Sequence, residues 1–485
     1  MQDGLEQLEP RSLWGHFAGI AAIPRPSKHE ERIVEWVRSL ADERGWDVRS
    51  DTVGNLVIAV PATAGHEQAP TVVLQAHLDM VCEKNHDVEH DFMNEPIRTR
   101  IDGEWVVADG TTLGADNGIG VAAALAAATD GEVVHGPLEL LFTLDEETGL
   151  TGAQGLDGSL ISGRVMLNLD SEEDGKLFVG CAGGGDCHLT LDLARRAVTA
   201  GSGTYRLSVT GLRGGHSGLN IHENRGNAVK LVARLLGAAR EADVEYELVG
   251  LEGGSKHNAI PREAAALLVL DPQHESAMRS VVANSVEEFR TELRGIDEGL
   301  ELRLESADAV DQVLERRDRD RLLDLLLILP HGVLGMSPDI PGLVETSNNL
   351  AVVEPAGDGL RIVASCRSSV GPTQKAVLST IRAAGRLAGA GIEMHGGYPG
   401  WKPDMDSQAL AVTRRVYTEL WGKQPEVTAV HAGLECGLLG EKVPGMDMIS
   451  FGPQIEGAHS PDERVHIASV ERFWNALRGV LRALA

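Results

Sequence analysis

Apolar, strand-like runs that each end in a histidine or an acid constrain this chain more than any other feature. TVVLQAHLDM delivers His77 and Asp79, LELLFTLDEETG delivers Glu146 and Glu147, and VMLNLDSEE delivers Asp170. Shorter stretches add Asp116, in TTLGADNG, and His459, in GAHSPDE. Such runs, bounded by polar groups, are consistent with buried strands. Open α/β sheets place their sites outside the carboxyl ends of strands. Imidazoles and carboxylates together, with no thiolate, are the donor inventory of zinc-type hydrolysis.

The chain has 485 residues and is 42% hydrophobic, ample for two or three domains. Its 44 basic residues against 72 acidic ones give a net charge of −28. That surface repels nucleic acid and anionic membranes, so neither is expected as a partner. The opening MQDGLEQLEPRSLWGHF lacks a basic start followed by an apolar stretch, so no secretory signal is expected. No run reaches the roughly 18 apolar residues of a membrane span. Scattered cysteines, 82, 181, 187, 366 and 436, suit buried thiols in a reducing cytoplasm.

Helical periodicity over 29–45 puts Ile33, Val34, Val37 and Leu40 on one face. Strand signals follow at 56–60 and 71–76, an alanine-rich helix at about 118–129, and strands at 138–144 and 164–169. Strands alternating with helices predict an α/β sheet with helices on both faces. After GCAGGGD (180–186), read as an interdomain turn, the texture changes. Strands near 205–211, 263–270 and 360–366 and helices near 226–241, 275–294 and 374–388 suggest two helices laid on an antiparallel sheet. From 404 the first texture returns, with a helix to about 420, strands near 426–430 and 447–451, and a final helix at 468–484. If one site uses both Asp170 and His459, the outer domain is discontinuous. The expected division is 1–186 and 397–485 for that domain and 187–396 for the insertion. No fixed-period repeat is visible.

His77 and Asp79, two apart, share a strand face, so the carboxylate can take one imidazole N–H and leave the other nitrogen for a metal. A polar strand end is the alternative. Asp116 can bridge two cations, or serve as a turn or N-cap residue. The neighbours Glu146 and Glu147 diverge, so one can bind metal while the other handles a proton; a solvated acidic loop is the plain alternative. Asp170 and His459 likewise read as ligands or loop residues. GIGVAA (118–123) matches a dinucleotide fingerprint. However, the preceding strand ends too early, and Asp116 would oppose a pyrophosphate. In GLRGGHSG, His216 is either a surface histidine or a donor to an oxyanion. Asn258 and Arg367 could supply an amide and a guanidinium to a substrate carboxylate. His86 and His90 read as structural.

Taken together, QAHLDMV, TTLGADNG, DEETG, NLDSEE, GGHSG and GAHSPDE resemble the dinuclear-zinc M20 metallopeptidases, most closely the bacterial aminoacyl-histidine dipeptidases. HAGLECGL, NAIPREA and GGYPGW extend the resemblance, which runs from near residue 10 to near 480. It implies a zinc-peptidase α/β/α catalytic domain with an inserted lid. Two zinc ions per chain are implied, with cobalt or manganese able to substitute. His77 and Asp170 would hold one ion, Glu147 and His459 the other, with Asp116 between them. Asp79 would orient His77, Glu146 would be the general base, and His216 would stabilise the oxyanion, in cis or from a partner subunit. Asn258, Arg367 and the backbone at Gly433 would grip substrate. A cis Asp116–Asn117 peptide and a cytoplasmic homodimer joined through the lid are also implied. The expected reaction is hydrolysis of dipeptides, Xaa-His substrates included. The alternatives are deacylation of N-acyl amino acids and noncatalytic peptide binding.

Overall fold

The structure, a computed structural model, describes residues 4–199 and 201–485. Of the opening stretch, the first three residues lie outside that range. The chain divides into two compact units. The first runs up to Cys181 and resumes at Trp401–Ala429 and Leu434–Ala485; the second comprises Ala182–Gly400 and Val430–Gly433.

In the first unit, eight strands form one sheet in the order Asp47–Ser50, Leu56–Val60, Leu138–Thr143, Val72–His77, Val165–Asn168, Asp447–Ser450, Lys176–Cys181, Glu426–Val430. The four from Leu138–Thr143 to Asp447–Ser450 run parallel. Every residue of Val72–His77 and Leu138–Thr143 is buried. That is why these strands read as continuous apolar runs rather than alternating ones. Parallel pairing gives their carboxyl ends a common edge. Register sets His77 opposite Thr143 and Gln75 opposite Asn168. The helix Ala115–Thr129 is buried from Ala115 to Ala127. Its alanines present little bulk, so it packs against both the Arg11–Ala21 helix and the Val72–His77 strand.

The second unit is an antiparallel sheet ordered Glu301–Ser306, Gly203–Thr210, Ala264–Leu270, Glu247–Gly253, Val344–Ala356, Gly359–Ser368, Gly183–Leu191, Gly391–Tyr398. Gly332–Met336 pairs beside Val344–Ala356. Two βαββαβ repeats are visible in that order. One runs from Gly203 to Ser306 and carries the helices Ala228–Glu241 and Pro272–Glu292. The other has Gly183–Leu191 as its first strand and resumes after residue 306, with helices Arg316–Ile328 and Gly371–Leu387. Each repeat orders its strands fourth, first, third, second, and their second strands meet where Gly253 faces Val353. The sheet therefore carries four long helices among the described residues, two per repeat, rather than two in all. Arg316–Ile328 went unseen because its RRDRDR opening dilutes the apolar stripe of Leu322, Leu323, Leu325 and Leu326.

GCAGGGD does lie where one unit passes into the other, but it is extended rather than a turn. It belongs to the strands Lys176–Cys181 and Gly183–Leu191, and the unit boundary falls between Cys181 and Ala182. Its glycines serve close approach. A Cβ on Gly183 would lie 2.4 Å from the Gly400 nitrogen and 2.5 Å from the Tyr398 carbonyl oxygen.

Candidate active site

At the common edge of the first unit's parallel strands, all seven sequence-predicted groups of that unit come together. His77 ends its strand with Nδ1 3.3 Å from Asp79 Oδ1. Its Nε2 lies 3.1 Å from Asp116 Oδ1 and 3.3 Å from Asp170 Oδ1. The other Asp116 oxygen, Oδ2, is 3.2 Å from His459 Nε2, which is also 2.9 Å from Glu147 Oε2. Asp116 thus joins two donor sets, His77–Asp116–Asp170 and Asp116–Glu147–His459, each compact enough to hold a metal ion. The Asp116–Asn117 peptide is cis. His459 reaches the cluster from a loop in which it adopts φ 63°.

Glu146 and Glu147 follow a tight turn at Asp145, whose side chain accepts hydrogen bonds from the Thr148 and Thr151 hydroxyls. Asp79 fixes both glutamates by their backbone. Its Oδ1 accepts from Glu146 N at 3.0 Å, and its Oδ2 accepts from Glu147 N at 3.3 Å and from Ser27 Oγ at 2.7 Å. One carboxylate therefore faces the first histidine and the acid pair together. Glu147 turns to His459, whereas Glu146 makes no ion pair among the described residues.

The electrostatics call for cations. Among the described residues, the only side-chain ion pairs made by Asp79, Asp116, Glu147 and Asp170 are with His77 and His459. Burial opposes charge on His77, yet Asp170, Asp116 and Asp79 outweigh it and hold the ring well above the usual imidazole range. Hydrogen bonds that its ring donates to the Asp116 and Glu147 carboxylates push His459 up to about 11. Burial raises Asp170 to about 6 and carries Glu146 well above the ordinary carboxyl range. Oxygen and imidazole donors suit divalent ions. The buried Glu147 Oε1, without a hydrogen-bond partner among the described residues, leaves a further lone pair for one.

The second unit gathers its own predicted groups. Arg367, 8% exposed, donates through Nε to Ser217 Oγ at 3.4 Å and through Nη1 to the Tyr398 hydroxyl at 3.3 Å. It has no carboxylate partner among the described residues. The Tyr398 ring lies against Gly433, where a Cβ would come within 3.0 Å of Cε2. His216 Nδ1 accepts from the backbone N–H groups of Gly218 and Leu219 at 3.3 and 3.1 Å. That places the ring proton on Nε2. Burial, with Arg367 and His257 nearby, holds His216 below its ordinary value, so the ring is a neutral donor. Asn258 enters through its backbone, its carbonyl accepting from Ser217 N at 2.8 Å. Its loop is pinned by Asn349 Nδ2, which donates to the carbonyls of His257 and Ala259 at 3.3 and 2.7 Å.

The sequence profile of peptidase family M20/M25/M40 matches residues 73–483. The chain is 46% identical over 480 residues to the cytosol non-specific dipeptidase of Escherichia coli (strain K12), covering 99% of each. Among solved structures, it superposes on aminoacylhistidine dipeptidase from Vibrio alginolyticus with a TM-score of 0.95 and 44% identity, covering 99% of this chain and 98% of that one. Aminopeptidase PepT from Bacillus cereus shares the fold, with a TM-score of 0.57, 16% identity, and 99% and 100% coverage.

The chain belongs to peptidase family M20.

As an M20 peptidase it is a hydrolase, and its α/β architecture is that of the family. The M20 site also has supports that motif reading missed. The buried Glu463 carboxylate accepts four backbone N–H groups, from Leu113, Gly114, Ala115 and Asp116, at 2.7 to 3.2 Å. Buried Arg25 donates to the carbonyls of Leu78, Asp79 and Gly114. These two residues clamp the loops that carry Asp79 and Asp116. Asn117 Nδ2 donates to Leu169 O at 3.1 Å and to Asp170 Oδ1, tying the Asp116 turn to the next strand end. Glu463 lies four residues after His459, inside the quoted SPDE stretch, so its signal was present. Arg25, in a proline-rich loop, carried none.

Proposed function

We propose that this M20 peptidase is a broad-specificity cytoplasmic dipeptidase that hydrolyses dipeptides with a free carboxylate, Xaa-His substrates such as carnosine included. The observation that carries the reading is Asp116, with one oxygen toward each imidazole and a further carboxylate beside each ring. His77, Asp116 and Asp170 would hold one divalent ion and Asp116, Glu147 and His459 a second. The donor set fits zinc, with cobalt or manganese able to substitute. Such ions supply Lewis acidity to the scissile carbonyl and lower the pKa of water.

The remaining work falls to side chains. Asp79 orients His77 by its Nδ1 side, as acids behind metal-binding imidazoles do. Glu146, outside both ion-pair chains and made more basic by burial, takes a proton from the attacking water and passes it to the leaving amine. His216 donates through Nε2 to the developing oxyanion, a donor its two N–H contacts preset. Arg367 supplies two N–H groups to the substrate carboxylate, with Asn258 and the Gly433 backbone completing the grip. The second unit acts as a lid. A homodimer through this unit would use its outer strands, since the two repeats already pair their inner ones.

Metal analysis combined with a dipeptide cleavage assay tests the reading. Two divalent ions per chain and cleavage lost on chelation are expected. Fewer than two ions, or no dipeptide cleaved by the loaded protein, overturns it. Cleavage of N-acyl amino acids alone would make it a deacylase instead.

A further inference from the structure

Beneath the ligand groups lies a second polar layer, completely buried, that the proposed mechanism leaves unused. Gln75, Thr143 and Asn168 occupy adjacent parallel strands, and each precedes a functional group: Gln75 is two before His77, Asn168 two before Asp170, Thr143 three before Glu146. Glu435, 0% exposed at the start of the helix Glu435–Lys442, joins them. Its Oε2 accepts from Gln75 Nε2 and from Thr143 Oγ1, both at 2.6 Å. Gln75 Nε2 also reaches Thr143 Oγ1 at 3.2 Å, and Gln75 Oε1 accepts from Asn168 Nδ2.

An acid is an expensive residue for this position. No lysine, arginine or histidine pairs with Glu435 among the described residues, and its Oε1 has no partner. A carboxyl so enclosed is much less costly when neutral. Burial accordingly raises it to about 7, with Asp170 and Asp79 contributing and His77 opposing. The carboxyl gathers donors from two strands onto one oxygen and adds a third contact to the side chain of Gln75, beside those with Thr143 and Asn168.

We propose that Glu435 is a positioning residue of the metal centre, holding the strand ends that carry His77 and Glu146–Glu147 in register through Gln75 and Thr143. This rests on the metal-binding reading above. Groups behind a metal's ligands typically change metal affinity or activity by about 10- to 100-fold when removed.

The test compares Glu435→Ala and Glu435→Gln in the zinc-loaded, full-length protein. Glutamine keeps an acceptor oxygen for Gln75 and Thr143; alanine does not. Zinc release to a chromogenic chelator, kcat and KM for a dipeptide, and thermal melting of each protein are measured. For Glu435→Ala, release roughly 10- to 100-fold faster and a fall in kcat at nearly unchanged KM are expected. Glu435→Gln should recover most of both. If Glu435→Ala melts earlier but keeps wild-type zinc release and kcat, the residue only supports the fold, and the proposal fails. It also fails if Glu435→Gln is as defective as Glu435→Ala, because acceptance by an oxygen is then not the function. A wild-type protein that binds no zinc would instead refute the metal reading itself.

Discussion

The two clusters of predicted residues are built by opposite means. In the first unit, acids and imidazoles stand at the ends of buried parallel strands and are fixed by one another and by Glu463, Arg25 and Asn117. In the second, His216 ends the two-residue strand Gly215–His216, Asn258 sits on the loop beside that strand's partner, and only Arg367 comes from a long strand of the main sheet. The first is an excess of negative charge shared between two rings. The second is a buried guanidinium with no carboxylate partner among the described residues, beside neutral imidazoles. One arrangement attracts cations and the other an anionic group. A dipeptidase needs both, since its substrate presents a carbonyl to polarise and a carboxylate to anchor.

Mutations can break that division of labour. The largest effect is expected for Glu146→Gln, where loss of the proton carrier should lower kcat by about 10³- to 10⁴-fold with metal content retained. Glu147→Gln should lose metal as well. Equal metal loss in both would exchange the roles of base and ligand. In the second unit, Arg367→Ala should lower kcat/KM by roughly 10²- to 10³-fold, chiefly through KM, because a buried charged anchor is removed. Steady-state kinetics on a dipeptide check this, and a decarboxylated substrate analogue should show almost no further loss. His216→Ala should lower kcat by about 10²-fold with KM little changed. An unchanged kcat would return His216 to the role of a surface histidine.

Asp79→Asn acts more weakly because the amide keeps the shape of the carboxylate. Metal affinity should drop by about 10- to 100-fold, read by chelator competition. The amide can still offer one oxygen to the Glu146 N–H, so kcat of the fully loaded enzyme should fall less than in Glu146→Gln. A larger fall would mean that Asp79 does more than orient His77.

The same contrast decides what was legible in the sequence. His77, Asp170 and the Glu146–Glu147 pair announced themselves because an apolar strand stops at each, and the strand pattern is local. Glu463 fell inside the GAHSPDE motif and Arg25 in no motif, but the role of neither was legible, because it lies in backbone groups more than fifty residues away in the chain for Arg25 and more than three hundred for Glu463. The discontinuity of the first unit followed from the late arrival of His459. The doubled βαββαβ arrangement did not, because its repeats share topology without a sequence period, and one is inserted between the first strand and first helix of the other. Buried polar residues in the second layer, such as Gln75, interrupt an apolar run by one position only, too small a signal to separate from an ordinary strand residue.

The smallest expected effect lies in stability rather than turnover, and it sets the histidines of the two units against each other. His431 is 7% exposed and shares a hydrogen bond through Nε2 with Ser347 Oγ at 2.7 Å. Burial first, and Arg367 second, push it down to about 4 from 6.5. His77 and His459 are shifted the other way by their carboxylates. Because the folded-state value of His431 is depressed, the unfolded chain takes up the proton first. Its contribution to stability is therefore intact above pH 6.5 and is lost as pH falls toward 4. Between pH 8 and pH 5 this amounts to about 2 kcal/mol. His431→Gln, which cannot protonate, should lose that much less over the same interval, as measured by urea unfolding of the two proteins at both pH values. Parallel losses would show that His431 is protonated in the folded protein, and the second cluster would then carry an additional positive charge beside Arg367.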